Sequence, residues 1–196
     1  MLGAWSFPPL SPSLTVPALT YMSIRDEIRA RVSEGRLVLL SPALPGATIV
    51  RTMYVSPEVR SLLVGPWADP AHEERCGRLR ADLDMFIEGR LISVARDSRR
   101  GRKAYMARLE PARDEVWEIR SRDPSPGIRV LGRFSEVDAF VALTWGERST
   151  LGKASSLEWR RAIEGCKADW RALFPTYPAH SGAEVHDYLS ADVFLV

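Results

Sequence analysis

The segment EVWEIRSRDPSPGIRVLGRFSEVDAFVALTWGER, residues 115–148, decides the fold. It contains three strand-length runs, 116–120, 127–134 and 137–145, that are rich in β-branched and aromatic residues. Such residues suit a pleated, half-buried surface. The breaks at 122–127 and 135–136 carry the Pro, Gly, Asp and Ser residues that are typical of turns. The segment is therefore predicted to form a three-stranded antiparallel meander.

Apolar residues at helical spacing flank this meander on both sides. A helix is predicted over 71–88 before it, and another over 156–174 after it, where apolar residues recur every three or four positions. Shorter signals predict helices at 23–34 and 56–65, strands at 36–40, 47–55, 91–95 and 104–109, and an edge strand or groove segment at 193–196. The whole predicts an α+β fold, in which a central antiparallel sheet carries helices on one face and an extra C-terminal helix completes the core.

The same signals divide the chain into four parts. Residues 1–21 hold four of the fourteen prolines and are predicted to be a disordered or loosely attached extension. Residues 22–65 are an N-terminal α/β segment and residues 66–152 form the core around the meander. Residues 153–196 are predicted to be a C-terminal helix and tail that pack on this core.

The charge of this 196-residue chain is unevenly distributed. The net charge is only +2, but residues 96–133 hold eleven Lys or Arg against six Asp or Glu. A basic middle in a nearly neutral chain indicates a polyanionic partner. Arg also outnumbers Lys by 24 to 3, which either suits bidentate phosphate contact or reflects codon bias in a G+C-rich genome.

Several function classes lack their sequence signals. The chain has no phosphate loop, dinucleotide fingerprint, nucleophile elbow or paired-Cys zinc spacing, so neither a metal nor a cofactor is predicted. No apolar run reaches the roughly 18–20 residues that span a bilayer. Cys76 and Cys166 are predicted to be buried free thiols, which favours the reducing cytoplasm. Asp82 and Asp84 are predicted to face solvent.

Arginine recurs on or beside the predicted strands, at positions 120, 129, 133 and 148. Two explanations are open: the guanidinium groups bind an anion, or they pair across strands with Glu115, Glu118 or Glu136. Arg129 and Arg148 are predicted to lie at the same end of the sheet, because the strands that carry them run antiparallel. The basic loop 96–103 is either a solvated hairpin tip or a phosphate-contacting finger.

The meander resembles the RelE/ParE/HigB superfamily of small bacterial toxins, especially its phage-derived, HigB-like branch. The run Val-Trp-Glu-Ile-Arg at 116–120 is similar to the family's first strand, and Gly-Ile-Arg-Val at 127–130 is similar to its Gly-x-Arg strand. The apolar run at 140–145, with Arg148 just beyond, is similar to the last strand. The predicted helix at 71–88 lies where the family has its second helix, so the resemblance covers about residues 71–148.

The resemblance implies a toxin-like RNA-binding protein, a metal-independent, ribosome-dependent mRNA endonuclease of a toxin–antitoxin system. Arg129 and Arg148 would bind and polarise the scissile phosphate, with Arg120 as a third positive group. Guanidinium groups aimed at the developing charge stabilise such a transition state, and losing one contact of this kind costs about 3–4 kcal/mol. The substrate supplies its own 2′-hydroxyl, so no cofactor is required. The candidate RNA-binding residues of the basic loop are Arg99, Arg100, Arg102 and Lys103.

The expected partners are RNA or the ribosome and an antitoxin protein, in the cytoplasm and without a membrane. The chain departs from the family in two ways: it lacks a counterpart to the Tyr or His that acts as base or acid, and it carries additional N- and C-terminal parts. Two alternatives therefore remain. One is a non-catalytic interaction protein with the RelE fold, and the other is an enzyme of unknown class that uses the tail at 177–188.

Overall fold

One eight-stranded sheet runs through the molecule. The computed structural model describes residues 22–67, 69–98, 101, 103–153 and 156–196. The strands are β1 (Val38–Leu39), β2 (Thr52–Val55), β3 (Ile92–Ala95), β4 (Met106–Arg108), β5 (Trp117–Ser121), β6 (Ile128–Glu136), β7 (Ala139–Glu147) and β8 (Val193–Leu195). The helices are α1 (Ile24–Ser33), α2 (Pro57–Val64), α3 (Pro70–Ile87), α4 (Arg148–Leu151) and α5 (Leu157–Leu173). The strand order is β1-β2-β7-β6-β5-β4-β3-β8.

The centre of the sheet is the predicted meander. Strands β5, β6 and β7 pair antiparallel in sequence order, with Ile119 opposite Val130 and Val130 opposite Trp145. Two register shifts interrupt the β6–β7 pair, one of them after Leu131. The meander forms because its turns are short and its strands alternate, so its pairing is set locally. The α+β class and the antiparallel centre are confirmed.

The outer strands make the sheet mixed around its antiparallel centre. Strand β2 adds parallel to β7, and β3 adds parallel to both β4 and β8. Strand β1 then pairs antiparallel with β2 at the other edge. Two parallel strands are joined by a long crossover connection, so no local turn signal in the sequence predicts their pairing.

The helices cover both faces of the sheet, so the expectation of helices on one face is wrong. Helices α2 and α3 pack against the face that carries Trp117, Ile119 and Val130. Helices α1 and α5 pack against the opposite face, which carries Leu131 and Val141. A sheet with apolar residues on both faces must be packed against other elements on both sides. The apolar pattern of one helix does not specify the face on which that helix packs.

The long helices begin and end where the sequence predicts. Asp69 caps α3 by accepting the amide of Ala71, and Pro70 occupies its first turn. Ser156 caps α5 by accepting the amide of Trp159. The stripe of α5 is buried against the sheet as expected, with side chains Trp159, Ile163, Cys166, Trp170 and Leu173.

Arg51 and Asp82 are among the polar side chains that are buried in this core. Arg51 is 1% exposed and donates to the carbonyls of Phe86 and Ala191, which ties β2 to the end of α3 and to the C-terminal tail. Asp82 on α3 is 5% exposed, so the expectation that it faces solvent is wrong. Burial raises the pKa of Asp82, although Ser121 and Arg78 oppose the shift by bonding to its carboxylate.

Candidate functional site

The three predicted site arginines lie at one end of the meander. Arg120 on β5 is directly opposite Arg129 on β6, and directly opposed residues point to the same face of a sheet. Arg148 follows β7, and its backbone amide donates to the carbonyl of Gly127 at 2.7 Å. The end of β7 and the start of β6 are thereby held side by side, away from the turn that joins them.

These arginines line one cleft of about 750 Å³. The cleft opens on the face of the sheet that α5 covers, beside the first turns of that helix. Leu109, Trp159 and Ile163 form its apolar wall. Its charged lining is Arg120, Arg129, Arg148, Lys153, Glu110 and Glu118, and Ser98 of the loop after β3 contributes to its rim. Four cationic and two anionic side chains give the cleft a net positive charge.

Arg120 is fully engaged with the protein. Its side chain is 6% exposed. Its Nε and Nη2 donate to Glu118 Oε1 at 2.9 and 2.6 Å, while Nη1 donates to the carbonyl of Gly101 and Nη2 to that of Ser98. Arg120 therefore fixes both the carboxylate of Glu118 and the loop after β3.

Glu118 lies between two guanidinium groups. Its Oε1 accepts both bonds from Arg120, and its Oε2 lies 3.4 Å from Arg129 Nε. Arg120 and Arg129 are like charges directly opposite on neighbouring strands and therefore repel each other. The buried carboxylate of Glu118 is the counter-charge that offsets this repulsion. Of the two explanations for the strand arginines, pairing with glutamate applies to Arg120 and to the Nε atom of Arg129, which both contact Glu118.

Arg129 keeps part of its guanidinium available. Its Nη1 donates to the carbonyls of Ser121 and Ile128 at 3.2 and 3.0 Å. Burial lowers the pKa of Arg129 to about 10, and the neighbouring guanidinium groups of Arg120 and Arg148 push it in the same direction, whereas Glu118 opposes them. Because burial is the first cause of the lowered pKa, Arg129 is a largely desolvated cation, which favours contact with an anionic group.

The remaining cations of the cleft are exposed at its mouth. The side chain of Arg148 donates to the carbonyl of Gly152. Lys153 directly follows Gly152 in the chain. Both residues are exposed, so both are free to turn towards an anion. Arg129, Arg148 and Lys153 line the same cleft, so an anionic group bound there would meet positive charge.

The basic loop adjoins the cleft. Ser98 lines the cleft and Gly101 accepts a bond from Arg120, which places these two described residues of the loop at the site. Lys103 is exposed and lines a smaller pocket of about 240 Å³ together with Asp82, Tyr105 and Arg122. The other three candidate RNA-binding residues, Arg99, Arg100 and Arg102, lie outside the described residues.

The tail residues that suggested a different enzyme class hold the tail on the sheet. The hydroxyl of Tyr188 donates to Glu115 Oε2 at 2.6 Å and accepts the amide of Gly182 at 2.7 Å. Its ring packs on Trp117, with 4.7 Å between ring centroids. Burial and the neighbouring Glu115 raise the pKa of Tyr188. His180 Nε2 lies 2.6 Å from the carbonyl of Asp187.

Sequence reasoning missed Lys153 and the cleft-lining role of Trp159. Lys153 lies in a segment without hydrophobic periodicity. The one sequence signal that could have predicted it as a site residue is its position shortly after β7. Trp159 was assigned to the core stripe of α5, which is correct for most of its surface. Trp159 is the N-terminal residue of that stripe, and the cleft lies beside this end of α5.

Within the part of the chain that the structure describes, no group of three or more His, Cys, Asp or Glu residues could hold a metal ion. None of its helices is long and apolar enough to cross a membrane.

The fold and the site together define an α+β protein with a cationic cleft at one end of its sheet. Comparisons of the chain with protein-family models, with curated proteins and with solved structures found no match.

Proposed function

We propose that this protein binds single-stranded RNA and that a backbone phosphate occupies the cleft between Arg129 and Arg148. One observation carries the proposal: Arg129 and Arg148 line the same cleft, together with Lys153. A guanidinium group matches the geometry of phosphate oxygens, and Arg129 is held in place by two backbone carbonyls.

The proposed activity is metal-independent cleavage of mRNA by the substrate's own 2′-hydroxyl, in the manner of a ribosome-dependent toxin. In that reaction Arg129 and Arg148 would stabilise the charge that develops on the phosphate. Arg120 would act by holding Glu118 and the adjoining loop, since its own N–H groups are bonded to the protein. An antitoxin protein is the proposed partner, and the two free, buried cysteines fit a reducing cytoplasm.

A non-catalytic interaction protein is the second candidate. No histidine or tyrosine is among the described residues that line the cleft, and the groups left there for proton transfer are Glu110, Glu118 and Lys153. Expression in a bacterial host separates the two candidates. An endoribonuclease toxin arrests growth and cuts mRNA in the presence of a metal chelator, whereas a binding protein does neither.

Binding itself is tested with a fluorescently labelled single-stranded RNA at several salt concentrations. Arg148→Ala is the cleanest variant, because the side chain is exposed and bonds only to the carbonyl of Gly152 within the described residues. It should weaken binding and lower the slope of log K against log salt by about 0.7–1, the effect of one lost phosphate contact. Circular dichroism should remain that of the wild type.

The matched control is Arg60→Ala, which removes an equally exposed arginine from α2 on the opposite face of the sheet. This variant should bind RNA like the wild type. Equal affinity of Arg148→Ala, Arg60→Ala and the unaltered protein would overturn the proposed site. Absence of any salt-dependent RNA binding by the wild type would overturn the proposed function.

A further inference from the structure

Two side chains that line the cleft each have a buried polar atom without a hydrogen-bond partner. The two atoms are Oε2 of Glu118 and Nε1 of Trp159, and their residues are 2% and 5% exposed. Buried polar atoms almost always have a partner, and leaving one without a partner is unfavourable. Glu118 Oε2 has only the ion pair at 3.4 Å to Arg129 Nε. Trp159 Nε1 has no acceptor within the described part of the chain.

The two atoms are chemically complementary. A carboxylate oxygen accepts a hydrogen bond, and an indole N–H donates one. Both belong to side chains that line the same cleft as the three cations Arg129, Arg148 and Lys153. The ligand that satisfies all of them carries an anionic group, a hydrogen-bond donor and a hydrogen-bond acceptor.

The cleft also offers flat apolar contact. Leu109 and Ile163 line it and are themselves mostly buried, so they present carbon surface rather than charge. Its volume of about 750 Å³ lies within the roughly 300–1,000 Å³ that is typical of small-molecule sites. A planar, partly apolar group with polar edges fits such walls.

We infer that the cleft holds one unstacked nucleobase of a single-stranded RNA, whose donor bonds to Glu118 Oε2 and whose acceptor bonds to Trp159 Nε1. The inference rests on the proposed RNA binding and names the part of the RNA that enters the site. A base edge presents donors and acceptors side by side, and single-stranded RNA is recognised through bases turned out of the stack. The adjoining phosphate then meets Arg129 and Arg148.

The binding of a base requires a small change at the wall. Neither Glu118 Oε2 nor Trp159 Nε1 contacts open solvent in the free protein. Side-chain rotamer changes of this size are common at binding sites. Because Arg120 fixes Glu118 through two hydrogen bonds, the carboxylate stays oriented while the exposed Lys153 and Arg148 side chains move.

The experiment compares two RNA oligonucleotides of equal length with the wild-type protein. One has all its bases, and the other has the same ribose-phosphate backbone with the bases removed. Fluorescence anisotropy should show at least about tenfold tighter binding of the base-bearing RNA. The abasic RNA keeps every 2′-hydroxyl, so this comparison distinguishes a base donor from a ribose donor.

The variant that tests the donor is Trp159→Phe, which removes the indole N–H and keeps an aromatic ring. It should weaken binding of the base-bearing RNA about threefold to tenfold, the effect of one lost hydrogen bond, and leave the abasic RNA unaffected. Trp117→Phe is the matched control, because Trp117 Nε1 also has no acceptor but lies in the core on the other face of the sheet. It should leave both affinities unchanged.

The outcomes separate this inference from the function on which it rests. Equal binding of the two oligonucleotides by the wild type would overturn the base subsite and leave RNA binding intact. Failure of both oligonucleotides to bind would overturn the RNA-binding proposal itself. The comparison of the two oligonucleotides uses the unaltered protein, so it decides the question even where Trp159→Phe does not fold.

Discussion

Replacement of Glu118 by alanine should destabilise the protein strongly. The change removes the carboxylate that lies between the guanidinium groups of Arg120 and Arg129, whose Cα atoms are register partners on adjacent strands. The side chains of Glu118, Arg120 and Arg129 are 3%, 6% and 11% exposed, so water can do little to replace the lost counter-charge.

The magnitude follows from the contacts that are lost. Two charge-assisted hydrogen bonds, at 2.9 and 2.6 Å, are removed with the ion pair at 3.4 Å. Hydrogen bonds to charged groups contribute about 1.5–3 kcal/mol each. Breaking a buried pair by removing one partner costs about 3–5 kcal/mol, so we expect Glu118→Ala to lower the free energy of unfolding by that amount. For a chain of this length the melting temperature should fall by roughly 6–20 °C.

Urea denaturation followed by circular dichroism measures this change, as a lower midpoint at an unchanged slope. The triple replacement Arg120→Met, Glu118→Leu and Arg129→Met removes these three charges at once. It should recover part of the lost stability, because apolar residues of similar volume often replace buried ion pairs without loss. The recovery is partial because four backbone carbonyls lose the guanidinium donors of Arg120 and Arg129. A decrease below about 1 kcal/mol in Glu118→Ala would refute the assignment of Glu118 as the counter-charge.

Three further changes probe the fold. Trp170→Ala removes a side chain that is 1% exposed and bonded to the carbonyl of Tyr177, and it should cost about 3–5 kcal/mol by denaturant titration, whereas an unchanged midpoint would make α5 peripheral. Gly132→Ala would place a Cβ 2.2 Å from the carbonyl oxygen of Val141, so it should lower the melting temperature through displacement of β7; wild-type stability would contradict that close approach. The pKa of Asp82 is raised in the folded state, so the free energy of unfolding falls as pH rises from the unfolded pKa of 3.8 through the folded pKa. The stability of Asp82→Asn relative to the wild type should therefore increase with pH across that window. A relative gain that grew at lower pH would contradict the raised pKa.

The meander was predictable because its information is local. Strand-length runs separated by turn residues indicate the pairing of β5, β6 and β7, and antiparallel geometry then brings Arg129 and Arg148 to the same end. The two register shifts between β6 and β7 have no such signal. The stripe of α5 was equally clear from its spacing. Each hairpin of the meander, like the stripe of α5, lies within a window of about twenty residues.

The outer strands and the details of the site were not predictable in the same way. The parallel placement of β2 beside β7 depends on residues far apart in the chain, and an apolar stripe on α1 does not say which face of the sheet it meets. The sequence also left open whether the strand arginines pair with glutamate or bind an anion. The structure shows pairing with Glu118, and this pairing leaves Arg148 and Lys153 as the exposed cations of the cleft.

The placement of β2 beside β7 has a consequence for how the protein reaches its native state. Ser56, just after β2, bonds to the carbonyl of Leu143 on β7, a residue 87 positions away in the chain. Each tenfold increase in the length of a flexible loop raises the closure entropy cost by about 2 kcal/mol, and chains that depend on distant contacts fold slowly. The hairpins of the meander should therefore form first and present β7 as an open edge. Until β2 docks there, that edge is the surface on which two folding chains would associate wrongly.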